Sequence, residues 1–457
     1  MKYKKYPSYK DSGVEWLGEI PSEWNESRLK FIGYTYGGLS GKAGKDFGDE
    51  ENLESKRFIP FTNIANNAFI KSDNLGYVII NEKEEQNKVK INDLFFLMSS
   101  ENYDDLGKAS LLEENLKDTY LNSFCKGFRL TDKLINPRFL NYLLSGNIYR
   151  KLLSIQGNGF TRINLRLEKL NELRLLLPSL QEQQQIANFL DKATAKIDIL
   201  IEKQTKLIEI LKEKRQAVIS HAVTKGINPN VPMKDSSVDW LGEIPNHWEL
   251  SKLRFLFSFS TGLNITKADL IEEDGIPCVS YGEIHSKYGF EVNANKDILK
   301  CVDKEYLITS KASLLSEGDF IFADTSEDVK GAGNFTHIVG DTKVFAGYHT
   351  VIARLEDNYS SRFFAYVFDS NVFRTQIQLA IKGVKVFSIT QAILKNCSIW
   401  FPFIEEQQQI ANYLDDKTSK IDTLIEKSNK SIELLKEKRT ALISAAVTGK
   451  IDVREEV

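Results

Sequence analysis

The chain is short of the residues that build metal and disulfide sites. It has four cysteines, five histidines and three methionines in 457 residues. Cys125, Cys278, Cys301 and Cys397 are scattered with no CxxC pair, which argues against a disulfide framework and suits a reducing, cytoplasmic setting. His221, His247, His285, His337 and His349 lack ligand spacing, so no metal is expected. No apolar run approaches the ~18 residues of a membrane span, and the start MKYKKYPSYKDSG lacks the apolar segment of a signal peptide. Catalytic signatures are missing too. A methyltransferase would carry (N/D)PP(Y/F), which NPR at Asn136 and NPN at Asn228 do not supply, and GKAGKD at Gly41 fails the P-loop pattern. Carboxylate pairs such as Glu84-Glu85 sit in charged, solvated runs. A net charge of −3 neither announces nor excludes a nucleic-acid partner.

What the chain has is repetition. KDSGVEWLGEIPSEW begins at Lys10 and KDSSVDWLGEIPNHW at Lys234, 224 residues apart. EQQQIANFLDKATAKID begins at Glu182 and EQQQIANYLDDKTSKID at Glu406, again 224 apart. Arg138-Phe139 with Arg362-Phe363, and Pro178 with Pro402, keep the offset. Between them it drifts: Ile59-Pro60 best matches Ile276-Pro277, and Asp93 best matches Asp319. One unit is therefore used twice, with similar ends and a divergent middle. DLFFLM (Asp93–Met98) and DFIFA (Asp319–Ala323) read as buried strands. Arg138–Leu153 and Arg362–Ile377 read as amphipathic helices. LRLLLP and CSIWFP end strands just before each long helix, and the tryptophans Trp16, Trp24, Trp240 and Trp248 are expected as core anchors.

The long stretches read as coiled-coil helices. Their expected pairing positions are Ile186, Leu190, Ile197, Leu200, Leu207, Leu211 and Val218 in the first, and Ile410, Leu414, Ile421, Leu424, Leu435 and Leu442 in the second. The polar Gln204 and Ser428 fall on the same seam. A second apolar line (Ile201, Ile208, Ile219; Ile425, Ile432, Ile443) leaves surface for a partner's helices. Thr194–Thr224 would make a rod of about 46 Å at 1.5 Å per residue. One such helix cannot bury its stripe alone, and two in one chain pair antiparallel. The expected fold is α+β, with two globular recognition domains joined by two long antiparallel helices and an internal pseudo-twofold repeat. The domains are residues 1–181, a central helix 182–228, a second domain 229–405 and a C-terminal helix 406–457.

WLGEIP with its following Trp, the (L/F)P…EQQQIA helix entry and the KID-LIEK…LKEKR…AVT(K/G) helix, all present twice, resemble the specificity subunit of type I restriction-modification systems. The resemblance spans essentially the whole chain. It implies a non-catalytic subunit in which each globular domain reads half of a split double-stranded DNA site. The helices act as the spacer and dock two methyltransferase subunits that use S-adenosylmethionine. Restriction subunits add ATP- and Mg-dependent translocation and cleavage. Because the middles differ, an asymmetric site is expected. A coiled-coil scaffold that never touches DNA is the competing reading.

Base edges are read by Arg, Lys, Asn, Gln, Ser and Thr. In the first domain these occur in three segments. TNIANN offers Thr62, Asn63 and Asn66; the segment from Ser99 offers Ser99, Ser100, Asn102, Tyr103 and Lys108. GNGFTRIN offers Asn158, Gly159, Thr161, Arg162 and Asn164, and is similar to the family's glycine–Thr–Arg segment. In the second domain the expected residues are Ser280, Tyr281, His285, Lys287, Thr325, Ser326, Lys330, Tyr348, His349, Lys382, Lys385 and Ser388. There Lys385-Val386 replaces Thr161-Arg162.

Overall fold

The computed structural model describes residues 3–48, 55–81, 83–356, 359–381, 383 and 386–456. It divides into two compact units, Met1–Thr205 with Lys430–Val457, and Lys206–Asn429. Each unit is one head plus one end of each long helix. The helices span Leu180–Lys225 and Ile404–Val447.

In the first head, an antiparallel sheet runs in the order Ala109–Leu111, Leu94–Leu97, Cys125–Leu130, Gly33–Gly37. A second sheet runs Thr119–Leu121, Ser55–Ile59, Gly76–Ile79, Phe47–Gly48, with only its first pair parallel. The apolar run Leu94–Leu97 is explained by having a core on both faces. Leu94 and Phe96 enter the core shared with the long helices, while Phe95 and Leu97 pack with Ile59 and Ile64. The second head repeats the device: Phe320 and Phe322 face one core, Ile321 and Ala323 the other. Its first sheet has five strands, in the order Phe257–Thr261, Thr350–Leu355, Phe320–Ala323, Phe335–Ile338, Glu291–Val292. The added strand lies within the divergent middle of the repeat.

Two sequence expectations are corrected. The segments read as single helices are each broken in two, at Gly146 (Pro137–Ser145, Asn147–Ile155) and at Ser370 (Ser361–Asp369, Asn371–Ala380). Both break residues are extended, and Ser370 Oγ accepts from Phe373 N at 3.2 Å as an N-cap. The match of Ile59-Pro60 to Ile276-Pro277 also fails. Pro60 caps the helix Phe61–Asn66, whereas Pro277 lies inside the strand Ile276–Val279, ahead of the helix Tyr281–Ser286.

The EQQQ motif is a lock between head and helix. Glu182 Oε1 accepts from Tyr6 Oη at 2.8 Å and from Trp24 Nε1 at 3.0 Å. Glu406 does the same for Trp248 Nε1 at 3.2 Å and contacts His247 Nε2 at 2.6 Å. Gln183 Nε2 donates to Pro178 O and its Oε1 accepts from Asn136 N; Gln407 makes the matching pair with Pro402 O and Ser360 N. Trp24 and Trp248 are fully buried, while Trp16 and Trp240 lean on Tyr149 and Trp400.

Within each unit the helices run antiparallel. Asp198 pairs with Arg439 at 3.0 Å in the first unit, and Arg215 with Asp422 at 3.1 Å in the second. Ile186 and Leu190 are buried in the first head's core beside Ile443 and Val447, and Ile410 and Leu414 in the second beside Ile219 and Val223. Ile197, Leu211 and Ile421 are buried, and Val218, Leu435 and Leu442 half-buried. Leu200, Leu207 and Leu424 are not on the seam: they are exposed, at 47%, 42% and 50%. Their neighbours Ile201, Ile208 and Ile425 are covered instead, with Gln204 half-buried and Ser428 buried. Apolar residues stand at both 200 and 201, and at both 207 and 208, so spacing alone fits either line. In the structure it is the second line that is covered. Among the described residues no helix is long and apolar enough to cross a membrane, and no acidic, His or Cys cluster is arranged to hold a metal.

Candidate nucleic-acid interface

Each head gathers three separate stretches at one place. In the first head these are the helix Phe61–Asn66, the strand Ser99–Ser100 and the loop ending in Ile163–Asn164. The last two pair antiparallel, Ile163 with Ser100 and Asn164 with Ser99. They enclose a cavity of about 200 Å³ lined in part by Phe61, Ser99, Ser100, Asn102, Phe124 and Arg162. The Arg162 guanidinium lies over the Phe124 ring at 4.5 Å, a contact that orients it at little entropic cost. Glu101 and Asp105 also line the cavity. Such carboxylates repel phosphate but accept from the amino groups of cytosine and adenine.

Thr62, Asn66, Asn102, Tyr103, Asn158, Gly159, Thr161, Arg162 and Asn164 are exposed, and Ser99 and Ser100 half-buried. Asn63 is not available. It is fully buried, its amide donating to Lys71 O at 2.9 Å and Asn74 O at 2.6 Å. A short polar side chain inside a turn serves the backbone first. Lys108 is also used internally: Nζ donates to Ala65 O at 2.8 Å and pairs with Asp105 at 2.5 Å. That contact holds the Asp105 carboxyl below its usual range.

The second head assembles the helix Tyr281–Ser286, the strand Thr325–Ser326 and the strand Phe387–Ser388, with Thr325 opposite Ser388. They surround a cavity of about 810 Å³ whose lining includes Tyr281, His285, Thr325, Lys330, His349 and Arg374. Tyr281 packs edge-on against Tyr348 and His349, with centroids at 5.6 and 5.3 Å. His349 sits at φ +55° with Nδ1 3.2 Å from Asp324. Lys287, Lys330, His349 and Ser388 are exposed.

Three expectations fail here. Ser280 is 1% exposed at the start of its helix, its N–H donating to Glu283 at 2.9 Å. Ser326 is 5% exposed and donates to Asp328 O at 2.7 Å. His285 has both ring nitrogens engaged, Nε2 with Thr325 O at 2.9 Å and Nδ1 with Asn334 Nδ2 at 2.8 Å. It props the strand Thr325–Ser326, with both ring nitrogens taken up inside the head. Lys382 and Lys385 lie outside the described residues.

Sequence reasoning passed over Arg150 and Arg374, although the repeat offset relates them. Arg150 Nη2 clamps the loop that follows Ser99–Ser100 by donating to Asp104 O and Leu106 O, both at 2.8 Å. Arg374 reaches its loop through a chain of contacts, to Asn334 Oδ1 and on to His285 and Thr325. It also missed the aromatics Phe61 and Phe124, because nothing in a sequence marks which phenyl groups stay outside.

The type I restriction modification DNA specificity domain family matches this chain twice, at residues 21–211 and 245–434. The chain is 24% identical over 449 residues to the type I restriction enzyme MjaVIII specificity subunit of Methanocaldococcus jannaschii, covering 95% of this chain and 94% of that one. It is 23% identical over 450 residues to the EcoKI specificity subunit of Escherichia coli, covering 95% and 90%. The fold is shared with the HsdS subunit from Thermoanaerobacter tengcongensis, at TM-score 0.52 and 15% identity over 94% of this chain and 98% of that one. It is shared more closely, at TM-score 0.65 and 14% identity over 94% and 98%, with a chain from a study of type I R-M complex assembly. The chain therefore belongs to the type I restriction modification DNA specificity family, with two specificity domains in tandem, and is the recognition component of such a system rather than its catalyst.

Proposed function

We propose that each head reads one half of a bipartite, asymmetric site on double-stranded DNA, and that the paired helices set the spacing and dock two methyltransferase subunits. Adenine methylation by those subunits uses S-adenosylmethionine. Restriction subunits add ATP- and Mg-dependent cleavage. One observation carries the reading. Both heads build a reading surface from a short helix, a two-residue strand and a returning loop, yet line it with different residues. Same scaffold with different lining is what two different half-sites require. The exposed Ile199, Leu200, Leu207, Ile210, Leu424 and Leu434 supply apolar helix surface for the methyltransferase subunits.

Mapping methylated adenines in the host genome, with and without this gene, tests the proposal. Loss of one bipartite motif is expected, and no loss would overturn it. A scaffold that never touches DNA predicts no sequence-dependent footprint from the complex with its methyltransferase. The lined cavities favour DNA reading over that alternative.

A further inference from the structure

One large apolar side chain of the first head projects fully into solvent. Phe160 is fully exposed, the most exposed large apolar residue among those described. Its hairpin is nonetheless firmly built. Asn158 and Asn164 exchange backbone hydrogen bonds of 3.1 and 2.9 Å, and Ile163, 3% exposed, anchors the base against Ser100. Gly159 takes φ +137°, and a Cβ there would meet the Arg162 carbonyl at 2.1 Å, so the turn is too tight for a larger residue. The hydrogen-bonded hairpin thus holds a phenyl ring out in water, where covering it would be favourable.

We propose that Phe160 is a wedge that inserts between adjacent base pairs of the half-site read by the first head and unstacks that step. This rests on the DNA-reading role proposed above. Its surroundings favour a base stack over a protein surface. The exposed neighbours Asn158, Thr161, Arg162 and Asn164 are polar or cationic, whereas a protein-docking patch is contiguous and apolar at its centre. A projecting apolar side chain flanked by hydrogen-bonding groups, with Phe61 and Phe124 set back at the cavity beside Arg162, is the arrangement with which proteins pry open a base step while holding its edges and phosphates. Arg162, two residues from Phe160 and held over Phe124, would contact the strand beside the opened step.

The test uses the full chain assembled with its methyltransferase subunits, without S-adenosylmethionine, on a duplex carrying the mapped site. 2-Aminopurine is placed at successive positions of both half-sites, excluding the methylated adenines. The wild type should raise fluorescence at one step, and Phe160→Ala should return it to the free-duplex value and weaken binding about tenfold. Phe160→Leu, still an apolar wedge, should keep most of the signal. An alanine variant that keeps the unstacking signal overturns the wedge. So does one that no longer assembles with the methyltransferase subunits, because the phenyl then docks protein. Sequence-dependent binding by the wild type with no unstacked position also overturns the wedge but leaves the DNA-reading role standing. Absence of sequence-dependent binding overturns the role itself.

Discussion

Arg162 and Asn63 are both residue types that read base edges, and the fold separates them. The exposed guanidinium lies over a phenyl ring, while the amide is buried and donates to the carbonyls of Lys71 and Asn74. Arg162→Ala should weaken cognate binding of the assembled complex by about 1–3 kcal/mol, the worth of a good base contact, with the melting temperature unchanged. Asn63→Ala should lower the melting temperature of the first unit and leave base preference intact; competition binding and calorimetry tell them apart. His337 makes a pH prediction. Buried and stacked on Phe320 at 4.9 Å, its imidazole is pushed from 6.5 down to about 4 by burial and then by the nearby Arg362, against Asp415. Between those values the unfolded chain binds the proton and the folded one does not. Stability present above pH 6.5 is therefore lost as pH falls toward 4, by up to about 3 kcal/mol. Denaturant melts of the second unit should show this slope, and His337→Gln should flatten it.

Among elements, the sequence made legible whatever repeats or alternates plainly. The strands at Leu94 and Phe320 announced themselves because both faces are buried, and the long helices by their length and duplication. Two features were not legible. The breaks at Gly146 and Ser370 lie inside apolar patterns that run on through them. The helix seam was ambiguous because adjacent apolar residues satisfy two lines at once. For the reading surfaces, the loops were recognisable by composition, but which side chain turns inward depends on backbone groups that only the fold brings near. That is why Ser280, Ser326 and His285 were misplaced. The seam correction is testable. Ile201→Ala and Ile208→Ala should each cost about 1–3 kcal/mol of stability for a half-buried aliphatic. Leu200→Ala and Leu207→Ala should leave stability within about 0.5 kcal/mol of wild type yet weaken assembly with methyltransferase subunits in sedimentation experiments. Asp198 and Asp422 are the exposed partners of the Asp198–Arg439 and Arg215–Asp422 pairs, so replacing either aspartate by Ala should cost under about 1 kcal/mol.

For the molecule as a whole, one recognition surface is built on each of two units from equivalent parts. A chain whose first head carried the second head's three reading stretches should direct methylation to a symmetric motif, read by mapping modified adenines. The division of the chain has a further consequence, for biosynthesis. The unit Lys206–Asn429 is continuous, whereas the other needs Lys430–Val457 to complete a core that includes Ile443, Ala446, Val447 and Ile451. On the ribosome the part made first is therefore finished last. Its core stays open through the synthesis of some two hundred further residues, a window in which unpaired apolar surface invites aggregation or chaperone capture.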